Sequence, residues 1–406
     1  MSTPSIRPAF SAGRSLLEAS MRSTARTSAA ATTPAQAIRC FSATPVQNNI
    51  ITFSRSSNET LDSILKELTE KVILPSHLPT PQRKKLFRSR WKQKLESDPI
   101  EIELDDLRIR LRHINAAGGE VPAARRALYQ AMDNMHTAHD WRKLPGLLEA
   151  LYFNASRRFL PTDWPKIIRK ASAAGQLAVI FEALKRPTRT GLKLDSSETV
   201  QELMSAIVWQ AGHDGKWSAS ATERAFRNAE RVVQALEEDE HQLRGDAKAL
   251  WEQTNRFPLK RDPQVLAIPV LFASVMVVKH KGGEVYRKKL RDYVDVLLKQ
   301  WPENQGLLDL HPHEAYIDPT GVAYLMEKNK FLVAASPILR GLDLAIEAVG
   351  GASSMLGQKL ALRRKPVRAE VTAALQAGET KGKRGAAVYE TVFAEPQGQQ
   401  AKNKTA

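Results

Sequence analysis

Between positions 83 and 94 the chain reads RKKLFRSRWKQK, seven lysines or arginines in twelve residues with no acid among them. Guanidinium and ammonium groups at that density suit a row of phosphates, because each one neutralised releases a condensed counterion and makes binding salt-sensitive. Phe87, Trp91 and Leu95 recur at i, i+4 and i+8. That spacing predicts one helix over 82–96, packed by its aromatic face, with Arg83, Lys84, Lys85, Arg88, Arg90, Lys92 and Lys94 presented to a polyanion. The competing reading is an ordinary solvated face.

A second group, His311, His313 and Glu314 in HPHEAY, carries potential ligands without the spacing of a helical ligand pair, and reads as a loop holding no metal. His136 and His139 flank a helix end. There is no Walker loop, dinucleotide glycine fingerprint or nucleophile elbow, so the chain reads as a non-enzyme with no cofactor.

The elements around these residues follow from composition. With 42% hydrophobic, 26% charged and only 6% aromatic residues, the 406-residue chain leans to a mainly α fold with a sizeable core. Its net charge of +16 favours polyanionic partners. The single cysteine, Cys40, excludes an intrachain disulfide and a Cys-based zinc site.

The first 55 residues hold six arginines, no lysine and one acid, Glu18, among many Ser, Thr and Ala. This is the composition of a mitochondrial transit peptide. Arg39 in IRCFSATP precedes an expected new N-terminus near Phe41 or Ser42, so residues 1–41 read as the leader and 42–56 as a flexible linker. The destination implied is the mitochondrial matrix. Further on, VLAIPVLFASVMVV at 265–278 is apolar throughout. At 1.5 Å per residue it covers about 21 Å, short of the roughly 30 Å hydrocarbon core, and it reads as a buried helix rather than a membrane span.

A period of 35 links the segment from Ala127 to that from Thr162: Tyr129 aligns with Trp164, Met132 with Ile167, Leu144 with Val179 and Leu148 with Ala183. A third copy begins at Thr199 and finds its second helix in ATERAFRNAERVVQALEEDEH; a fourth pair follows around Gly282 and Gly283. Helix-turn-helix units that cannot cover their own apolar faces must stack, which predicts an α-solenoid over 119–245, with further pairs and capping helices over 246–366. The period, with an aromatic early in the first helix, a turn of the AAGQ type and a closing TGLKLDSSE, resembles the pentatricopeptide repeat of organelle RNA-binding proteins, with tetratricopeptide-like repeats as close competitors. The resemblance implies single-stranded RNA on the concave face, read near Gln130 and Pro165 with partners near Ser196 or Ser197. Pro165 has no side-chain donor, which weighs against a base-by-base code.

Upstream, residues 57–118 form a separate small module. NETLDSILKELTEKVILP places Leu61, Leu65, Leu68 and Val72 on one side of a helix. PIEIELDDLRIRLRHI alternates with period two and predicts a β-hairpin turning at Asp105–Asp106, with Glu101 and Glu103 facing Arg108, Arg110 and Arg112. From 367 to 406 the chain turns polar, rich in Lys and Gln, and reads as a mobile tail; the ten lysines and arginines against four acids over 359–406 suit either threading into RNA or keeping the chain soluble.

Together these readings make the chain an RNA-associated helical-repeat protein of mitochondrial gene expression, a component of or factor bound to the mitochondrial ribosome. Its expected partners are mitochondrial rRNA or mRNA and mitochondrial ribosomal proteins. A protein-binding scaffold, such as an assembly factor for a respiratory complex, is the alternative.

Overall fold

Asn58 starts the first helix, its side-chain oxygen accepting the Thr60 N–H at 2.9 Å. In the computed structural model, which describes residues 50–104, 107–212, 217–243, 246–253, 257–318 and 320–394, that helix runs Glu59–Leu68 and buries Leu61, Leu65 and Leu68 as their spacing predicts. The Thr69 hydroxyl then bonds the Leu65 carbonyl at 2.7 Å, and the helix widens into a π turn over Thr69–Ile73. The leader, the hairpin turn at 105–106 and residues beyond 394 lie outside the described residues.

Where it is described, the expected linker is tied down. Ser57 donates its backbone N–H and its hydroxyl to Asp140 at 3.1 and 2.5 Å, and Lys143 donates to the Ser56 hydroxyl at 2.7 Å. Asp140 is fully buried and also accepts from Thr137, closing a capping box at the helical turn Ala138–Trp141.

The hairpin forms as read. Strands Ile100–Leu104 and Leu107–Leu111 pair antiparallel with Glu101 opposite Arg110 and Glu103 opposite Arg108, and Arg110 bonds Glu101 at 2.9 Å. Beyond the strand, Ile114 donates its N–H to the Leu86 carbonyl at 3.0 Å. Leu74, Leu78, Leu86, Leu111 and Ile114 form a small core of their own.

The two segments aligned at 35 residues hold helices Ala124–Asp133 and Leu144–Glu149, then Asp163–Ala173 and Leu177–Leu184. Met132, Ile167, Leu144, Val179, Leu148 and Ala183 are all buried in the large core. A third pair, Ser197–Gly212 and Ala219–Ala235, follows. The loops differ from expectation. The first unit's second helix runs into a π turn, Ala150–Asn154, and the loop after the second unit holds a helical turn, Pro187–Thr190, closed by Gly191 at φ +79°.

Past residue 245 the pair read around Gly282 and Gly283 is present as helices Pro263–Val278 and Glu284–Gln300, which pack on each other. After helix Asp246–Gln253, helix Pro263–Val278 is buried along nearly its whole length and packs on Ala219–Ala235, Glu284–Gln300 and Lys328–Ala348. Gly341 lets the two most buried helices approach: a Cβ there would lie 3.1 Å from the Leu271 Cβ and 3.3 Å from the Ala267 carbonyl. Pro269 is accommodated inside its helix rather than ending it. Among the described residues, no helix is long and apolar enough to cross a membrane.

Over its described part, 367–394, the expected mobile tail is instead largely helical. Helix Met355–Gln376 continues through Pro366, and helix Arg384–Phe393 folds back against Lys328–Ala348 and Ser197–Gly212. Arg384 reaches Glu202 at 2.6 Å, across 182 positions of sequence. In a solenoid each unit touches only its neighbours. The last helix touches the third pair as well as its neighbour, so the fold is mainly helical without showing a solenoid of repeats.

Candidate nucleic-acid interface

The basic segment begins on helix Thr80–Phe87, which Pro79 and Pro81 start: a proline costs nothing in the first turn, where its missing N–H has no helical partner. The expected single helix over 82–96 is not formed. At Arg88 the backbone is extended (φ −98°, ψ 123°); a 3₁₀ turn, Ser89–Trp91, and a short helix, Lys92–Ser97, follow. Two forces account for the break. Leu86 and Leu95 are both buried, yet nine residues at 100° each would put them on roughly opposite sides of a straight helix. Like charges at i, i+3 and i+4, among them Lys84, Lys85 and Arg88, also disfavour continuation. The Leu86 carbonyl holds the first helix in place, receiving the Ile114 N–H and contacting His113 Nδ1 at 2.9 Å.

The aromatic face is therefore different from the one the spacing predicts. Phe87 and Trp91 are half-buried, and Leu95 is buried. Trp91 is the centre of a cation cluster, with Lys85 Nζ 5.1 Å and Arg90 and Lys94 each 5.6 Å from its ring. The ring's negative face offsets some of the repulsion among the three cations, by about 0.5–1 kcal/mol for each exposed contact.

All seven cations are exposed, and none forms an ion pair with a described carboxylate. Elsewhere the conspicuous arginines are neutralised internally. Arg125 bonds Asp163, Arg169 and Arg384 converge on Glu202, Arg186 and Arg189 on Glu149, and Arg364 and Arg368 on Asp343. Arg363, expected to belong with the RNA-threading charges, is buried and donates to the Trp301 carbonyl at 3.0 Å. The excess positive charge of the segment at 83–94 is thus free to meet a polyanion, while much of the arginine elsewhere is committed to holding the fold.

The repeat positions fare differently. Gln130 is exposed on helix Ala124–Asp133, a part of the large core, whereas Leu86 beneath the basic segment belongs to the small one. Pro165, Ser196 and Ser197 are buried, and Ser197 pairs its hydroxyl with Tyr324 at 3.3 Å. Pro165 and the partner position expected for it at Ser196 or Ser197 thus present no exposed side chain, while Gln130 does. The boundary between units is instead structural: buried Asp163 accepts from Arg125 and Tyr129, each at 2.7 Å, and from the Leu160 N–H at 2.9 Å. Burial, then the bond to the Asp163 carboxylate, pushes the Tyr129 hydroxyl up to about 12.

His311, His313 and Glu314 do not converge on a common point. His311 is buried and pairs its ring with the Gln264 amide at 2.7 Å, with Asp262 3.7 Å away, while His313 and Glu314 are exposed on the turn His313–Ile317. Burial pushes the Asp262 carboxyl up, against the pull of His311 and the Gln264 N–H. Among the described residues no group of three or more His, Cys, Asp or Glu is placed to hold a metal ion.

One surface escaped the sequence reading: YFNASRRF at 152–159, where aromatic and basic residues alternate in a turn. That interleaving was the available signal, hidden because the 35-residue period makes the segment the end of a repeat.

Comparison with known proteins identifies the family of the chain. A family model described as mitochondrial ribosomal protein mS27 matches residues 39–391. The chain is also 32% identical over 376 residues to the small ribosomal subunit protein mS27 of Neurospora crassa, an alignment covering 88% of this chain and 93% of that protein.

Proposed function

We infer, from the premise that the chain belongs to the family of mitochondrial ribosomal protein mS27, that it is a non-enzymatic component of the small subunit of the mitochondrial ribosome, working in translation in the matrix. In this reading it touches ribosomal RNA through Arg83, Lys84, Lys85, Arg88, Arg90, Lys92 and Lys94, while the helical core holds neighbouring ribosomal proteins. The observation that carries the RNA contact is the exposure of these seven unpaired cations on a segment anchored by Leu86 and Leu95. The burial of Pro165, Ser196 and Ser197 supports recognition by charge and shape over a base-by-base code.

The test replaces Arg83, Lys84, Lys85, Arg88 and Arg90 together by Gln, which keeps helix propensity close to that of Lys and Arg. Cosedimentation of the full chain with small subunits should weaken, and the dependence of log K on log salt should flatten by roughly 0.7–0.9 per phosphate contact removed. Circular dichroism should show the fold intact. A folded variant that cosediments as the parent does at every salt concentration would make the segment a solvated face.

A further inference from the structure

The chain after the π turn Ala150–Asn154 bends sharply. Ser156 takes φ +52°, and the Arg157 N–H returns to the Leu151 carbonyl at 2.8 Å. The bend projects Arg157 and Arg158 from the rim of a groove of about 520 Å³ lined by Tyr152, Phe153, Phe159, Trp164 and Lys193 among others. That is within the size range of ligand pockets.

Its aromatic residues are held in place. Trp164 meets Phe159 edge to face with ring centres 5.3 Å apart. Tyr152 lies against Gly191, where a Cβ would come within 2.5 Å of the ring, so the close approach and the left-handed turn both require glycine. Phe153 is 48% exposed, a large apolar ring open to solvent, with the Arg189 guanidinium 5.4 Å from its centre. Arg189 is itself fixed by Glu149 at 2.6 Å. Arg157 and Arg158 are exposed and make no ion pair with a described carboxylate; Lys193 stands near the one lining acid, Asp195.

An exposed ring beside unpaired guanidinium groups combines the two elements that hold single-stranded nucleic acid: a face on which a base stacks and cations that meet the backbone. A duplex offers no free base face, and its bases stay stacked on each other. We propose that this groove seats an unpaired nucleotide of the ribosomal RNA, its base on Phe153 and the flanking phosphates on Arg157 and Arg158. The assignment rests on the reading of the chain as an RNA-bound ribosomal protein and adds a second contact, of a different kind from the phosphate-only one at 83–94. The charge complement favours RNA over an apolar peptide, which would leave both arginines without counter-charge.

The test uses the full chain with a 12-nucleotide oligouridine and, as control, a strand of the same length with its bases removed. Phe153→Ala should weaken oligouridine binding roughly tenfold, within the range for loss of one stacked base, and leave the abasic strand unaffected. Phe153→Leu, which keeps apolar bulk without the flat face, should behave as Phe153→Ala. Arg157→Gln with Arg158→Gln should weaken both strands and lower the salt slope by roughly 0.7 for each phosphate no longer neutralised. Unchanged oligouridine binding by Phe153→Ala, while the five-Gln variant at 83–90 still loses affinity, would overturn the groove and leave the ribosomal reading standing. Unchanged RNA binding combined with loss of attachment to RNA-free subunit proteins would make the groove a protein seat and equally overturn it. Failure of the parent chain to bind either strand would overturn both.

Discussion

Replacing Asp140 by Asn removes one charge and reverses part of a hydrogen-bond pattern without changing the side chain's shape. Asp140 is fully buried and accepts four bonds, two from Ser57 and two from Thr137, with the Lys143 ammonium 3.7 Å away. Burial pushes its carboxyl up, but the bonds from Ser57 and Thr137 outweigh burial and hold it well below the usual carboxylate range. An asparagine keeps one acceptor oxygen and turns an NH₂ toward groups that can only donate or must reorient. Lys143, 8% exposed, loses its counter-charge. Losing two charge-assisted bonds at about 1.5–3 kcal/mol each predicts a cost of roughly 3–6 kcal/mol, overlapping the range for breaking a buried ion pair. Because the folded carboxyl titrates lower than the unfolded one, its contribution is complete above the unfolded value near 4 and is lost as pH falls toward the folded value. The substituted amide cannot titrate, so the gap between parent and variant should be widest at neutral pH and narrow below about pH 4. Urea unfolding at pH 7 and at pH 3.5 measures both, and proteolysis reports whether residues 50–57 undock. A destabilisation under about 1 kcal/mol at pH 7, or a gap that widens in acid, would refute the role given to this carboxylate.

Leu148→Asp places an unpaired carboxylate at a position with no solvent exposure and should destabilise the fold by several kcal/mol; an unchanged melting temperature would count against the 35-residue alignment. A chain lacking residues 1–41 should stay in the cytosol, because the arginine-rich, acid-poor leader is the import signal the sequence displays, and its recovery inside mitochondria would contradict that.

The local features of this fold were legible where a short-range period is enforced by burial. Leu61, Leu65 and Leu68 announced their helix, and alternation over 99–114 gave the hairpin with its Glu101–Arg110 pair. The Met276 carbonyl, 2.8 Å from where a Gly282 Cβ would stand, explains the turn read at Gly282–Gly283. What escaped depended on distant partners. Phe87, Trp91 and Leu95 satisfied the helical period, but the backbone follows Leu86 and Leu95, whose spacing no straight helix can serve. The C-terminal residues looked like a tail because their polar groups have remote partners: Glu202 for the Arg384 side chain, Asn329 for the Gly385 backbone N–H. Helices Pro263–Val278 and Lys328–Ala348 are apolar enough to be recognised as buried, yet nothing local says that they bury each other. The groove at Tyr152–Phe159 was legible only in part: YFNASRRF displays its aromatic and basic residues, but Lys193 and Gly191 come from the following loop.

Lysine footprinting of the assembled mitochondrial small subunit tests the central claim most directly. If residues 83–94 lie on ribosomal RNA, Lys84, Lys85, Lys92 and Lys94, all exposed in the free chain, should be protected from amine-reactive label in the subunit and regain reactivity after nuclease digestion. Labelling of all four in the intact subunit to the same extent as in the free chain, or protection that survives complete RNA digestion, would contradict it.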